Sequence, residues 1–172
     1  MSTSGDSKIL NTIKNKSKAT VIILSFVVLV LLFYFVALPS IKYSQASKAL
    51  ANMEYDKAIS VYKSLGGYQN SSELLKESQY QKANELITNR QYLEAVSILS
   101  TLETYKNSPE LLSKAENLNE KETKYQQAYK LLVQGKYELA IKTFTEIGDY
   151  KDSTNLLYKA NEIYTRLKNP LP

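Results

Sequence analysis

Carboxylates are the side chains of this sequence best suited to acid–base chemistry. The sequence contains no His and no Cys, so the imidazole and thiolate groups used in most zinc, haem and nucleophilic sites are absent. It also lacks a Gly-rich phosphate loop. Carboxylate pairs such as Glu116/Glu120 and Glu120/Glu122 lie in a polar segment where a solvated helix surface is expected rather than a tuned acid and base. We therefore predict that the protein is not an enzyme and uses no metal or cofactor.

The net charge of +5 is concentrated at the N-terminus. Residues 1–18 contain four Lys and one Asp, whereas residues 39–172 contain 18 basic and 16 acidic residues. The larger part of the chain is therefore nearly neutral and lacks the basic stripe typical of nucleic-acid-binding domains. We predict no nucleic-acid partner.

An uncharged run of 20 residues extends from Ala19 to Leu38. At about 1.5 Å per residue it is long enough to cross a hydrocarbon core of about 30 Å. It predicts a transmembrane helix preceded by a disordered basic tail, residues 1–18. A cleaved signal peptide is the alternative, but its apolar segment usually spans about 7–15 residues and ends at small residues. This run is longer and ends at Leu38-Pro39, which favours a retained anchor in the lipid bilayer.

Lysines on either side of the run bear on the membrane orientation. Lys8, Lys14, Lys16 and Lys18 precede it, whereas Lys42, Lys48 and Lys57 follow it. The short basic tail favours a cytoplasmic N-terminus and places the rest of the chain outside the cytoplasm, attached to the cell membrane. The opposite orientation is the alternative. The tail lysines act only as this topological signal, or they also contact the anionic headgroups of lipids. Pro39 is expected to kink or restart the helix immediately after the anchor.

A pattern of Tyr, Ala and large apolar residues occurs three times after the anchor. Each copy has the spacing of two amphipathic helices, with a small residue in the middle of each apolar stripe. The matching positions are Tyr43, Ala46, Leu50, Tyr55, Ala58, Ile59, Tyr62 and Leu65; Tyr80, Ala83, Ile87, Tyr92, Ala95, Val96, Leu99 and Leu102; and Tyr125, Ala128, Leu132, Tyr137, Ala140, Ile141, Phe144 and Ile147. This predicts one repeat domain, residues 40–168, with copies at about 41–70, 71–107 and 108–152 and a C-terminal capping helix at 153–168.

Ser71, Ser108 and Ser153 occupy one column of this pattern and predict helix N-caps. Pro109 follows the second serine, at a position where the first turn of a helix accepts proline. A turn precedes each serine, and each turn contains a tyrosine. The three turn tyrosines, Tyr68, Tyr105 and Tyr150, are expected to pack under the turn, with contact to a ligand as the alternative.

The third copy begins later than the regular spacing requires. The distance from Tyr43 to Tyr80 is 37 residues, but the distance from Tyr80 to Tyr125 is 45. The excess lies at about residues 113–124, a charged segment typical of helices. It predicts either two additional turns of one long helix or a helix, a break and a second helix.

The second helix of each copy resembles that of the tetratricopeptide repeat (TPR), in which Gly-x-Tyr-x-x-Ala is followed by an aromatic and an apolar residue. Gly135, Tyr137, Ala140, Phe144 and Ile147 match that pattern. The resemblance covers about residues 40–168, although the Trp of the family's first helix and the Pro at its repeat end are absent. It implies an all-α protein: one transmembrane helix followed by a short TPR-like α-solenoid of three helical hairpins and a capping helix.

The resemblance also implies a concave face that binds a protein or peptide. On the first helices this face would present Tyr43, Ser47, Tyr80, Asn84, Tyr125 and Tyr129. With 14 Tyr and no Trp in the chain, packing is the competing role for any one of these tyrosines. We therefore weigh two functions, a single-pass membrane-anchored adaptor or scaffold, and a structural subunit that self-associates as a homo-oligomer or packs on an integral-membrane complex.

Overall fold

The structure, a computed structural model, describes the backbone of residues 3–169 and the side chains of residues 16, 18 and 20–169. The regular elements of this part are helical, which confirms the all-α prediction. They are α1 (Thr3–Leu32), a π-helical turn (Phe33–Ala37), α2 (Leu38–Ala51), α3 (Tyr55–Leu65), α4 (Ser71–Thr88), α5 (Tyr92–Leu99), α6 (Ser108–Val133), α7 (Tyr137–Ile147) and α8 (Ser153–Lys168).

The N-terminal helix α1 is longer than the predicted membrane span. It begins at Thr3, so residues 3–18, predicted to be a disordered tail, have a helical backbone. Extending an existing helix costs little per residue, and this segment contains no Pro to stop it. The side chains of Lys8 and Lys14 lie outside the described residues. The helical stretch Thr20–Ala51 is long and apolar enough to cross a membrane.

The helix continues through Pro39 and does not restart there, which was one of the two predicted alternatives. Leu32, Ala37 and Leu38 all have right-handed helical dihedral angles, and the Leu38 N–H donates to the Phe33 carbonyl five residues earlier. In a regular α-helix the Pro39 ring would clash with the carbonyl of Phe35. The wider π-helical turn directly before Pro39 relieves that clash, so the backbone passes from α1 into α2 without a non-helical residue.

The chain divides into two compact units, one ending at Ser78 and the other beginning at Gln79, within α4. In the first unit, α2 packs against α3, with Ala46, Ala49, Ala58 and Tyr62 at the centre. In the second unit, α5, α6, α7 and α8 pack consecutively, in the manner of an α-solenoid. Its two clusters of buried residues are Ala83, Leu86, Ala95, Leu99, Leu102 and Ala115, and Ala128, Ala140, Phe144 and Ile147.

The repeated alanines are the tightest positions of these cores. All six, Ala46, Ala58, Ala83, Ala95, Ala128 and Ala140, are completely buried. A small residue allows the two helix backbones to approach closely, and large neighbours fill the space on either side. The pattern of small and large residues that defined the repeat is therefore a packing pattern.

Each hairpin is closed by the same turn between its two helices. The second residue after the first helix has a positive φ, of 62° at Met53, 62° at Arg90 and 73° at Gly135. The next N–H in each turn donates to a carbonyl five residues earlier, as in the bond from Glu54 to Ala49 of 2.8 Å. These contacts define Schellman motifs, which satisfy the last carbonyls of the first helix.

The additional residues of the third copy form part of one long helix. α6 runs without a break from Ser108 to Val133 over 26 residues. Of the two arrangements predicted for the longer copy, the structure has the continuous helix. Ala115 lies completely buried near its start and Ala128 near its end, so α6 contributes to both cores of the second unit.

Candidate functional site

The turns before α4, α6 and α8 share an unusual backbone. Each contains a first position of positive φ at Gly66, Glu103 or Gly148, with φ between 48° and 63°. A second such position follows the turn tyrosine, at Gln69, Lys106 and Lys151. Left-handed conformations are costly for residues with a side chain, so three non-glycine residues at the same position indicate that the turn needs this geometry.

The serines that follow these turns are not the N-caps that we predicted. The helices begin at Ser71, Ser108 and Ser153, which places the N-cap one residue earlier, at Asn107 and Asp152 in the last two. The buried serine hydroxyls donate backwards to the carbonyls of the turn tyrosines, over 2.5–2.6 Å. A serine here ties the turn to the helix because its hydroxyl satisfies a carbonyl inside the turn.

The side chain of each residue before these serines accepts a hydrogen bond from a distant tyrosine. Tyr43 donates to Asn70, Tyr80 to Asn107 and Tyr125 to Asp152, in each case across 27 residues. The Tyr125 hydroxyl lies 2.6 Å from the Asp152 carboxylate, and this bond raises the pKa of Tyr125 to about 12. We call these three hydrogen bonds the Tyr–Asx clasps. Each joins the first helix of a hairpin to the turn that follows the second helix of the same hairpin.

Aromatic contacts reinforce the clasps. The rings of Tyr43, Tyr80 and Tyr125 meet the turn tyrosines edge to face, with centroids 6.1–6.2 Å apart, a favourable arrangement. In the last two turns a lysine also lies over the clasp tyrosine, with Lys106 Nζ 5.1 Å from the Tyr80 centroid and Lys151 Nζ 4.7 Å from that of Tyr125. The turn tyrosines therefore pack under the turn, as the first of our two alternatives held.

Glu122, in the additional turns of α6, has a strongly lowered pKa. It accepts hydrogen bonds from the Tyr150 hydroxyl at 2.6 Å, the Lys151 ammonium at 2.7 Å and the Gln126 amide at 2.9 Å. Partial burial opposes its ionisation, but these bonds outweigh that effect and lower its pKa to about 2. Burial and the bond to Glu122 raise the pKa of Tyr150. The Glu122 carboxylate is therefore ionised near neutral pH and is held in place by its three donors.

Three of the six residues predicted to face a partner are the clasp tyrosines. Tyr43, Tyr80 and Tyr125 are half-buried, and their hydroxyls are engaged by the turns of their own hairpins. Their surroundings are those of packing residues, which is the competing role that we assigned to tyrosine. A partner could reach only the exposed parts of these rings.

The other three predicted residues lie one helical turn further along. The Ser47 hydroxyl lies 3.0 Å from the Tyr43 carbonyl and 3.0 Å from the Tyr62 hydroxyl, and the Asn84 amide donates to the Tyr80 carbonyl. Tyr129 is different, since 49 % of its surface is exposed. Of the six, Tyr129 is the residue best placed to contact another molecule.

A set of exposed apolar side chains lies on α6, α7 and α8, and Tyr129 is its one member that was also part of the predicted site. It comprises Tyr129, Val133, Leu139, Tyr158, Ile163 and Leu167. Leu139 is out of phase with the buried stripe of α7, and Val133 falls at the end of α6. A search for large apolar residues outside the periodic stripes would have found both, because such residues have no place in the core of their own hairpin.

Two of these residues border a cavity of about 400 Å³ between the start of α7 and the end of α8. Leu139 and Leu167 line it with Tyr164, whose hydroxyl donates to the Glu138 carboxylate at 3.0 Å. We call it the α7/α8 groove; the remaining lining residues are Gly135, Lys136, Tyr137 and Lys168. Among the described residues, no three acidic side chains are grouped so as to hold a metal ion.

No protein-family model matches the chain, and comparisons with curated proteins and with solved structures likewise found no match. The α7/α8 groove combines exposed leucines with basic side chains, a composition suited to binding a peptide or a protein surface.

Proposed function

We propose that this protein is a single-pass membrane-anchored adaptor, in which a TPR-like helical array holds a protein partner close to the bilayer. The observation that carries the proposal is the pair of exposed leucines, Leu139 and Leu167, that line the α7/α8 groove. Leu139 and Leu167 expose 53 % and 65 % of their surfaces beside a cavity of about 400 Å³. Contiguous exposed apolar surface of this kind marks interaction sites on proteins that are otherwise stable.

The connection to the anchor supports the same proposal. The backbone stays helical from α1 through the π-helical turn into α2, so no flexible linker separates the candidate membrane span from the first hairpin. A partner captured by such a module is restricted to a layer near the bilayer, which raises its local concentration there.

The groove also indicates the chemistry of the partner. Lys136 and Lys168 lie along it, while Glu138, its one acidic residue, accepts the hydrogen bond from Tyr164. An acidic peptide segment with an apolar side chain would complement this lining, because the apolar group would cover the leucines and a carboxylate would pair with a lysine. Tyr129 is proposed to extend this surface.

The proposed orientation places the N-terminus in the cytoplasm and the helical array outside it. It rests on the four lysines before the anchor and the weaker basic charge after it. The partner is accordingly sought among secreted, envelope or membrane proteins.

A structural subunit that self-associates, or packs on an integral-membrane complex, is the second candidate. The exposed side chains of Ile163 and Leu167 on α8 favour it, because no further helix covers that face within the described residues. This candidate predicts a stable stoichiometric assembly in mild detergent.

Site-specific photocrosslinking in the cells that produce the protein separates the two candidates. A photoreactive amino acid in place of Leu139 is expected to give one reproducible product with a different protein. A Leu167→Asp substitution in the same chain should abolish that product, because it puts a charge on the opposite wall of the groove.

Leu93 provides the matched control, since it is an equally exposed leucine (69 %) on α5 and is not part of the groove. The Leu93→Asp variant should keep the crosslink. A product consisting of two copies of the chain would instead establish self-association. Recovery of uncrosslinked monomer alone would refute both candidates.

A further inference from the structure

A second cavity lies in the first unit, where the apolar anchor ends. It has a volume of about 260 Å³ and is lined by residues from the π-helical turn, from α2 and from the end of α3 with the following turn. The lining residues are Tyr34, Leu38, Pro39, Lys42, Ser64, Leu65 and Tyr68. At about 30 Å³ per water molecule, this space holds about eight waters, which is enough for a small polar headgroup but not for a folded partner.

The level of the cavity along the helix matches the headgroup layer of a bilayer. Leu38 is the last residue of the uncharged run, and Lys42 lies four residues further, a rise of about 6 Å. The headgroup region extends about 5–8 Å beyond the hydrocarbon core on each side. A bilayer spanned by the anchor would therefore place its phosphates at the height of Lys42.

The polar groups of this cavity favour an anion. Its lining contains no acidic residue, and Lys42 forms no ion pair with any carboxylate of the described residues. The Tyr68 hydroxyl accepts a hydrogen bond from the Gln69 amide at 3.3 Å, which leaves its own O–H proton to donate. An ammonium and a hydroxyl are typical donors to a phosphate oxygen.

Two backbone carbonyl groups, one at the end of α3 and one just after it, already accept hydrogen bonds from the chain. The Leu65 carbonyl accepts the Tyr68 N–H at 3.1 Å, and the Gly66 carbonyl accepts the Ser72 hydroxyl at 3.2 Å. The Ser64 hydroxyl donates to the Val61 carbonyl at 2.8 Å. Lys42 is the charged residue of the lining, and its ammonium group offsets the partial negative charge at the C-terminal end of α3.

We propose that this cavity is a binding site for the headgroup of an anionic phospholipid, with the phosphate held by Lys42 and Tyr68. The glycerol ester region would lie against Leu38, Pro39 and Leu65, where the apolar lining meets the hydrocarbon of the bilayer. The inference rests on the part of the proposed function in which the anchor crosses a membrane, and it does not depend on the protein partner. Its consequence is that a bound lipid braces the first hairpin against the membrane surface.

Lipid retention by the full chain tests the site. The chain is placed in nanodiscs of phosphatidylcholine mixed with an equal amount of phosphatidylglycerol, released into mild detergent, and analysed by native mass spectrometry. We expect one phosphatidylglycerol molecule to be retained in preference to phosphatidylcholine. The Lys42→Gln variant should retain about fivefold less, the effect of one lysine near an anionic surface, and Tyr68→Phe should lie between the two.

Lys63→Gln is the matched control, because Lys63 precedes Ser64 on α3 and is exposed but does not line the cavity. It should retain the lipid as the parent chain does. Equal losses in the Lys42→Gln and Lys63→Gln variants, or no preference for the anionic lipid, would overturn the proposal. Circular dichroism of each variant establishes that its helices are intact.

Two further experiments complete the test. The first distinguishes the phosphate of a lipid from free phosphate, and the second distinguishes failure of the anchor from failure of the lipid site. Inorganic phosphate added to phosphatidylcholine nanodiscs should not bind to the chain. Retention of phosphate by the chain would instead show an anion site that is not specific for lipid. A chain that fails to enter nanodiscs and is extracted by alkaline carbonate would refute the anchor and the lipid site together. A chain that enters but lacks a preference refutes the lipid site alone.

Discussion

The carboxylates of Glu116 and Glu122 lie on one polar segment of the sequence, but their surroundings in the structure differ sharply. Glu122 is 24 % exposed as a side chain and pairs with Lys151 at 2.6 Å. Glu116, two turns earlier on the same helix, is exposed. The difference arises because the additional turns of α6 bring residue 122, but not 116, against the turn before α8.

The bonds to Glu122 should make stability depend on pH in the acid range. Its pKa is about 2 in the folded chain against an ordinary value of 4.5. Because the folded-state pKa is the lower one, the stabilisation is complete above about pH 4.5 and is lost as the pH falls toward 2. We expect Glu122→Gln to lower the free energy of unfolding at neutral pH by about 2 kcal/mol.

Urea titration of the full chain in mild detergent, followed by circular dichroism at several pH values, measures this effect. The Glu122→Gln variant should show a flatter acid dependence than the parent chain between pH 4.5 and 2. Glu116→Gln, which changes an exposed carboxylate of the same helix, should leave both the stability and its pH dependence unchanged. Parallel profiles for the parent chain and the Glu122→Gln variant would contradict the assignment.

At the level of elements, the three hairpins use the same closing turn with different residues. Met53, Arg90 and Gly135 all have left-handed backbone conformations. Glycine adopts this conformation without the steric cost that other residues have, about 1–2 kcal/mol. The first two hairpins therefore contain a strain that the third avoids.

Reciprocal substitutions at this position should change stability in opposite directions. Arg90→Gly is expected to raise the free energy of unfolding by about 0.5–1 kcal/mol, and Gly135→Ala to lower it by about 1 kcal/mol. A β-carbon at residue 135 would meet only the Tyr137 ring at 3.9 Å, an ordinary contact, so the loss would be conformational.

The same urea titration measures both variants of this pair. A control substitution, Asn89→Ala, changes the residue directly before Arg90 without altering the left-handed position. A lower free energy of unfolding for the Arg90→Gly variant would contradict the predicted strain at this position. It would indicate that the arginine side chain stabilises the hairpin.

For the whole molecule, the proposed membrane anchor makes a prediction about the side of the membrane on which the helical array lies. The helical path from α1 into α2 means that the array follows directly from the anchor, and the basic residues before the anchor favour a cytoplasmic N-terminus. We expect an epitope tag placed after Pro172 to be removed when intact cells are treated with protease.

A cytoplasmic marker protein must survive the same treatment. The tag should disappear within the time that the marker remains intact, and addition of detergent should then expose the marker as well. Protection of the tag until the membrane is permeabilised would reverse the orientation and direct the search for partners to the cytoplasm.

Patterns within the chain were enough to predict the helices and their pairing. Alanine between large apolar residues at helical spacing predicts a buried helix face, because only such a face places these residues together. The repeated spacing from Tyr43 to Tyr80 then implied equivalent hairpins. The uncharged run from Ala19 to Leu38 likewise predicted the membrane-length helix from local composition alone.

The roles of individual polar residues depended on the tertiary structure. The hydroxyl of Tyr125 finds its acceptor 27 residues away at Asp152, and the geometry that joins them exists only once the hairpin has closed. The same closure engages the hydroxyls of three tyrosines predicted to face a partner and makes Ser71 a donor to the turn rather than an N-cap. Local sequence determines which helices form because helix signals act over a few residues, whereas the partners of a polar side chain are chosen by packing between distant segments.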